Sequence, residues 1–151
     1  MSWDEYMKMV INKTSPFIAL PMMGMFKCRE CSIDECDGLQ KASNYLGLSY
    51  QYLNDVENLV GINQDIFSDI YKSHPNAMLI KILEKLDLQN KLKIKKEPKL
   101  LINYIDKKSI LVQKSNINNL LENARNQFHR VPNVVQPVLI SIEDEINERL
   151  E

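Results

Sequence analysis

Cys28, Cys31 and Cys36 follow a C-x2-C-x4-C spacing, and thiolates at such intervals can converge on a zinc ion or an iron–sulfur cluster. A closed zinc site takes four ligands, however, and no fourth donor stands nearby in the chain. Three is also an odd number for a disulfide framework, so none is expected. His74 and His129 are the only histidines. Each reads as a surface or capping residue rather than as an acid or base. The run Asn54-Asp55-Val56-Glu57-Asn58, taken alone, is the polar end of a helix, and Lys13 and Gln51, taken alone, are a surface lysine and a polar helix position.

The elements that must position these side chains are helices. With 151 residues, 44% of them hydrophobic, the chain is long enough for one buried core and too short for two, so residues 1–151 read as a single domain. Four glycines and six prolines punctuate it, apolar residues recur at three-to-four spacing, and no β-hairpin signal or internal repeat appears. Ser2 and Glu5 have capping-box spacing ahead of a helical face formed by Trp3, Met7 and Val10. Phe17 to Phe26 is apolar all round, which predicts a helix covered on every side. Ser32 and Glu35 repeat the capping-box spacing before a long stripe of Cys36, Leu39, Ser43, Leu46, Tyr50, Leu53 and Val56.

Residues 61–74 have weak periodicity and read as a loop, after which Pro75 opens a helix over Ala77 to Leu86. A lysine-rich linker follows. Pro98 then begins a helix to about Val112, Ser115 caps another bearing Ile117, Leu120, Leu121, Ala124 and Phe128, and Pro137 starts the last, with Val138, Ile142 and Ile146 aligned. The expectation is six or seven helices.

The formal net charge of -1, from 19 basic and 20 acidic residues, excludes a global field that would recruit nucleic acid or an anionic membrane. Lys91, Lys93, Lys95, Lys96 and Lys99 form a basic run, and Glu143, Asp144, Glu145, Glu148 and Glu151 an acidic one; such runs are ordinarily solvated faces. Met-Ser-Trp-Asp-Glu at the start lacks the pattern of a signal peptide, and the longest apolar stretch, Pro16 to Phe26, falls well short of the roughly 20 residues that span a bilayer. The expected location is the cytoplasm, with no transmembrane segment.

Three segments, in order, carry a likeness: Tyr6 to Thr14 ending in Lys13-Thr14, then Gly47-Leu48-Ser49-Tyr50-Gln51-Tyr52-Leu53-Asn54-Asp55-Val56-Glu57-Asn58, then Ser68-Asp69-Ile70. Together they resemble the trans-isoprenyl diphosphate synthase, or polyprenyl synthetase, family. That family has a Lys-Thr pair at a helix end, a Phe-Gln, a second aspartate-rich motif Asp-Asp-x-x-Asp some forty residues later, and a loop lysine before another helix. The likeness covers residues 5–86 well and 115–150 loosely, the latter through Ala124, Val131-Pro132 and a closing helix with Arg149. It implies an all-α helical bundle corresponding to half of the isoprenoid synthase fold, the C-terminal half, with the helices of the first aspartate-rich motif lying elsewhere.

The resemblance also implies site roles. Lys13, Thr14 and Gln51 match diphosphate-binding positions. Asn54, Asp55 and Asn58 match the second motif, keeping one aspartate of three, and His74 stands where the family places its loop lysine. In such enzymes an allylic diphosphate ionises with the help of Mg2+, and isopentenyl diphosphate attacks the resulting cation. Mg2+ is a hard cation that takes oxygen ligands, so asparagine in place of aspartate should weaken its hold on this side.

The expectation is therefore a subunit of a split or heteromeric prenyl diphosphate synthase, inactive alone, with a second chain supplying the first motif. A non-catalytic regulatory subunit or relic is the alternative. A class I terpene cyclase subunit is a third reading, because Asn54-Asp55 also opens the pattern Asn-Asp-x-x-Ser/Thr-x-x-x-Glu, although Asn58 and Ile62 break it. Product chain length is set by residues before the first motif and cannot be read here.

Overall fold

In a computed structural model, which describes residues 1–27, 32–60 and 74–151, the chain starts its first helix at once. The Ser2 hydroxyl accepts from the Glu5 backbone N–H at 3.2 Å, and the Glu5 carboxylate accepts from the Ser2 N–H at 2.7 Å, closing the expected capping box of α1 (Trp3–Lys13). α1 buries Tyr6 and Val10 and ends at Thr14. Trp3 stacks on Tyr6 with ring centroids 5.3 Å apart and tilts against Tyr52 at the same distance.

α2 (Ser15–Lys27) follows immediately. The expectation that this helix is covered on every side is not met. Ala19 and Met22 are buried, whereas Phe17 is 81% and Leu20 64% exposed. α2 lies chiefly along one side of the long helix and beside α1, and no other described element covers its outer face.

The long helix is α3 (Ile33–Val60), 28 residues that run the length of the molecule and touch nearly every other element. Ser32 and Glu35 cap it reciprocally, as expected. A β-carbon on Gly47 would stand 2.7 Å from the Ser15 hydroxyl and 3.1 Å from Ser15 backbone atoms, so the missing side chain is what admits the α1–α2 junction. Gly38 does the same for Arg130, whose β-carbon would lie 2.7 Å from an added methyl. Residues 61–73, read above as a loop, and Cys28 and Cys31 fall outside the described residues.

Asn76 caps α4 (Ala77–Lys85), its side chain accepting from the Leu79 N–H at 3.0 Å. The segment expected to be a lysine-rich linker is instead helix α5 (Leu88–Lys96). Asp87 accepts from the Asn90 N–H at 2.8 Å to cap it, and Ile94, 4% exposed, anchors it to the core. Downstream, the helix expected over Pro98 to Val112 divides. Pro98–Tyr104 is 3-10 helix, and a new start at Asp106, boxed reciprocally with Ser109, opens α6 (Lys107–Arg125). Ser115, expected as a cap, therefore sits inside α6.

A short 3-10 turn, Phe128–Arg130, leads to α7 (Gln136–Leu150), with proline in its first turn as expected. Its buried stripe is Leu139, Glu143, Ile146 and Leu150, turned from the expected one, and Val138 is 45% exposed. The described residues thus hold seven α-helices and no strand, an all-α bundle around α3. No described helix is long and apolar enough to cross a membrane.

Candidate functional site

The side chain at the centre of the sequence argument, Asp55, faces inward from the last third of α3 and is 1% exposed. Its Oδ2 accepts from the Tyr6 hydroxyl at 2.7 Å and from the Ala77 backbone N–H at 2.6 Å. Its Oδ1 accepts from Gln51 Nε2 one turn earlier at 2.8 Å, and its backbone carbonyl accepts from Asn76 Nδ2 at 3.0 Å. Ala77 is the first residue of α4, so the carboxylate sits on the positive end of that helix. At least three donors from α1, α3 and α4 thus converge on one buried carboxylate. A buried charge needs such a shell, and without it desolvation would dominate.

Beside this node, Arg149 reaches from the last turn of α7 and forks across α3. It donates to Glu57 at 3.2 and 2.6 Å and to Asn54 Oδ1 at 2.6 Å, and its guanidinium lies 5.1 Å from the Tyr50 ring centroid. The Glu57 carboxylate beside it holds the Arg149 pKa above its ordinary value. Asn54 is therefore turned toward Arg149, Asp55 toward the core, and Asn58 is half-buried next along the helix.

Lys13 is exposed in the last turn of α1, and Thr14 is the half-buried residue that ends it. Through the Ser15–Gly47 contact, this Lys-Thr corner is held against α3 one helical turn before Gln51. Lys13 and Gln51 are so brought to neighbouring stretches of α3, while Gln51 itself is committed to Asp55. His74 is exposed two residues before the Asn76 cap of α4, where it borders a cleft of about 600 Å³ together with Asn76, Leu79, Leu83 and Lys91.

The residue that sequence reasoning missed is Tyr6. The expected apolar face of Trp3, Met7 and Val10 left it out, and nothing in the pattern signalled a hydroxyl bond to a carboxylate 49 positions away. A second buried polar pair joins α3 to α6, where the Tyr52 hydroxyl donates to Gln113 Oε1 and Asn116 Nδ2 donates to the same oxygen at 3.2 Å. Burial pushes the Tyr52 phenol up to about 12.

Magnesium would need oxygen ligands free to turn toward it. Both oxygens of Asp55 are engaged inside the core, and the side-chain oxygen of Asn54 is engaged by Arg149. This donor set does not fit a magnesium site. Among the described residues, no group of three or more His, Cys, Asp or Glu side chains gathers to hold a metal. Cys36 is a half-buried free thiol.

No curated protein and no solved structure matches the chain. Residues 1–109 match the sequence profile of one family, described as Polyprenyl synthetase. The matched stretch contains the Lys13-Thr14 corner, the Asp55 node and α4; residues 115–150, where the likeness was looser, lie beyond it. With well over half of its length matched, the chain belongs to the polyprenyl synthetase family.

Proposed function

We propose that this chain is an auxiliary subunit of a prenyl diphosphate synthase, one that packs against a polypeptide bearing intact aspartate-rich motifs and supports prenyl transfer there without holding metal itself. Family membership supports a prenyltransferase-type function. The observation that carries the auxiliary reading is Asp55. It is the one aspartate retained in Asn54-Asp55-x-x-Asn58, and it is withdrawn to 1% exposure as an internal tie between α1, α3 and α4. No Asp-Asp pair occurs anywhere in the 151 residues, so the carboxylates for Mg2+ come from outside them. The exposed Phe17 and Leu20 of α2 supply an apolar surface suited to a partner of the same helical kind.

The split-synthase reading, in which this chain completes the diphosphate site with Lys13, Thr14 and Gln51, is favoured by one observation. The Lys13-Thr14 corner adjoins the Ser15–Gly47 contact, one turn before Gln51 on α3, so an exposed lysine stands at the helix end beside the motif helix.

The two readings part on substitutions made in the assembled complex and assayed with allylic and isopentenyl diphosphates. In an auxiliary subunit, Lys13→Ala and Asp55→Asn leave the transfer rate per assembled complex within about twofold of wild type, as remote changes do. A fall of about a hundredfold for Lys13→Ala, with assembly intact, would move the chain into the diphosphate site, since losing one charge-assisted phosphate contact costs about that much.

A further inference from the structure

The basic run is absorbed by neither reading, and the fold gives it a shape. Helix α5 carries Lys91, Lys93, Lys95 and Lys96 and no acidic residue, with Lys99 just beyond. Ile94, 4% exposed, fixes which side faces the core. At 3.6 residues per turn, Leu88, Leu92 and Lys96 lie within an arc of about 80° on the opposite side, with Lys93 and Lys95 on its two flanks. Leu88 is 72% and Leu92 51% exposed, and Lys93, Lys95, Lys96 and Lys99 are exposed as well. Two leucines bordered on both sides by lysines form neither a core face nor an ordinary solvated one.

We infer that the outer face of α5 docks on an anionic phospholipid surface, Leu88 and Leu92 entering the headgroup boundary while the lysines spread over acidic headgroups. The long aliphatic stems of the lysines let their ammonium groups reach the headgroups as the leucines sink. Charge selects the occupant. The four lysines of the helix, with Lys99, outnumber the flanking Asp87 and Glu97, so the face is cationic on a chain whose net charge is -1. This inference does not depend on the auxiliary-subunit reading.

The test is co-sedimentation of the full chain with vesicles rich in phosphatidylserine and with pure phosphatidylcholine vesicles. Binding is expected only to the anionic vesicles, and is expected to weaken with added salt. Each lysine removed should reduce partitioning about fivefold, so Lys93→Gln/Lys95→Gln/Lys96→Gln loses about a hundredfold. Leu88→Ser/Leu92→Ser loses about tenfold, with helicity by circular dichroism unchanged. Equal binding to both vesicle types, no binding to anionic vesicles, or wild-type binding by the triple lysine variant would each overturn the inference. So would a leucine variant that binds as well as wild type, because a soluble polyanion would ignore the leucines.

Discussion

Asp55 sets three donors at once, and its removal is asymmetric in cost. Asp55→Ala would leave the Tyr6 hydroxyl, the Ala77 N–H and Gln51 without their acceptor inside the core, and is expected to lower unfolding free energy by about 3–5 kcal/mol in urea titration. Tyr6→Phe removes one of these bonds and is expected to cost about 1–2 kcal/mol. Tyr52 gives a pH signature. Its phenol titrates near 10 when unfolded but is pushed up to about 12 by burial, so the folded state retains a proton that the unfolded state loses. The stability this represents is complete below about pH 10 and drains away as pH rises toward 12, a loss that Tyr52→Phe should abolish in alkaline denaturation. At this scale family spacing singled out Asn54, Asp55 and Lys13, but the direction in which Asn54 and Asp55 point is visible only in the structure. Whether an aspartate on a helix faces solvent or core depends on which tyrosine arrives from elsewhere in the chain.

Elements were read well where local chemistry ends them. The two boxes at Ser2–Glu5 and Ser32–Glu35 and the proline start of α7 are short-range and visible in the residues. The run from Lys91 to Lys99 misled because charge density outweighed Asp87 and Ile94, one a cap and the other a single apolar anchor. α3 depends on glycine at its crossings. Gly47→Ala would drive a methyl into the Ser15 backbone and is expected to cost about 1–3 kcal/mol, whereas Gly24→Ala, with nothing within 4 Å of its added methyl, is expected to gain about 0.5–1 kcal/mol through helix propensity.

The start of α3 is also tied to the Phe128–Arg130 turn by Arg130, which pairs with Asp34 at 2.6 Å and Asp37 at 2.7 Å. Asp34 is held below its ordinary value by the bond to Arg130, and Asp37 by bonds to Lys41 and Arg130. A depressed carboxylate stabilises the fold above its unfolded pKa near 3.8 and loses that contribution as pH falls through the folded value. Arg130→Met is expected to lower the thermal midpoint slightly at neutral pH and to leave it unchanged once both carboxylates are protonated, so that the acid limb of a thermal-stability profile flattens.

Across the whole molecule, the all-α class followed from periodicity and scarce glycine, and the family from three short segments in order. The covering of α2 did not follow. An all-apolar helix is buried only if something lies on each side of it, and sequence alone counts no neighbours. Phe17 and Leu20, side chains of a kind usually found inside, face outward instead. Together with a retained aspartate that serves the core, this exposed pair is what the proposed auxiliary role rests on. Phe17→Ser/Leu20→Ser is accordingly expected to release a partner while leaving the thermal midpoint of the isolated chain within a few degrees, because exposed apolar residues add little to folding.

The most direct measurement is the native mass of the chain purified from its own source, with each co-purifying polypeptide sequenced. The auxiliary-subunit reading expects a complex of fixed stoichiometry with a polypeptide carrying an intact Asp-Asp-x-x-Asp motif, and prenyl transfer in that complex. A chain that runs as a monomer, or that assembles only with itself, would contradict it.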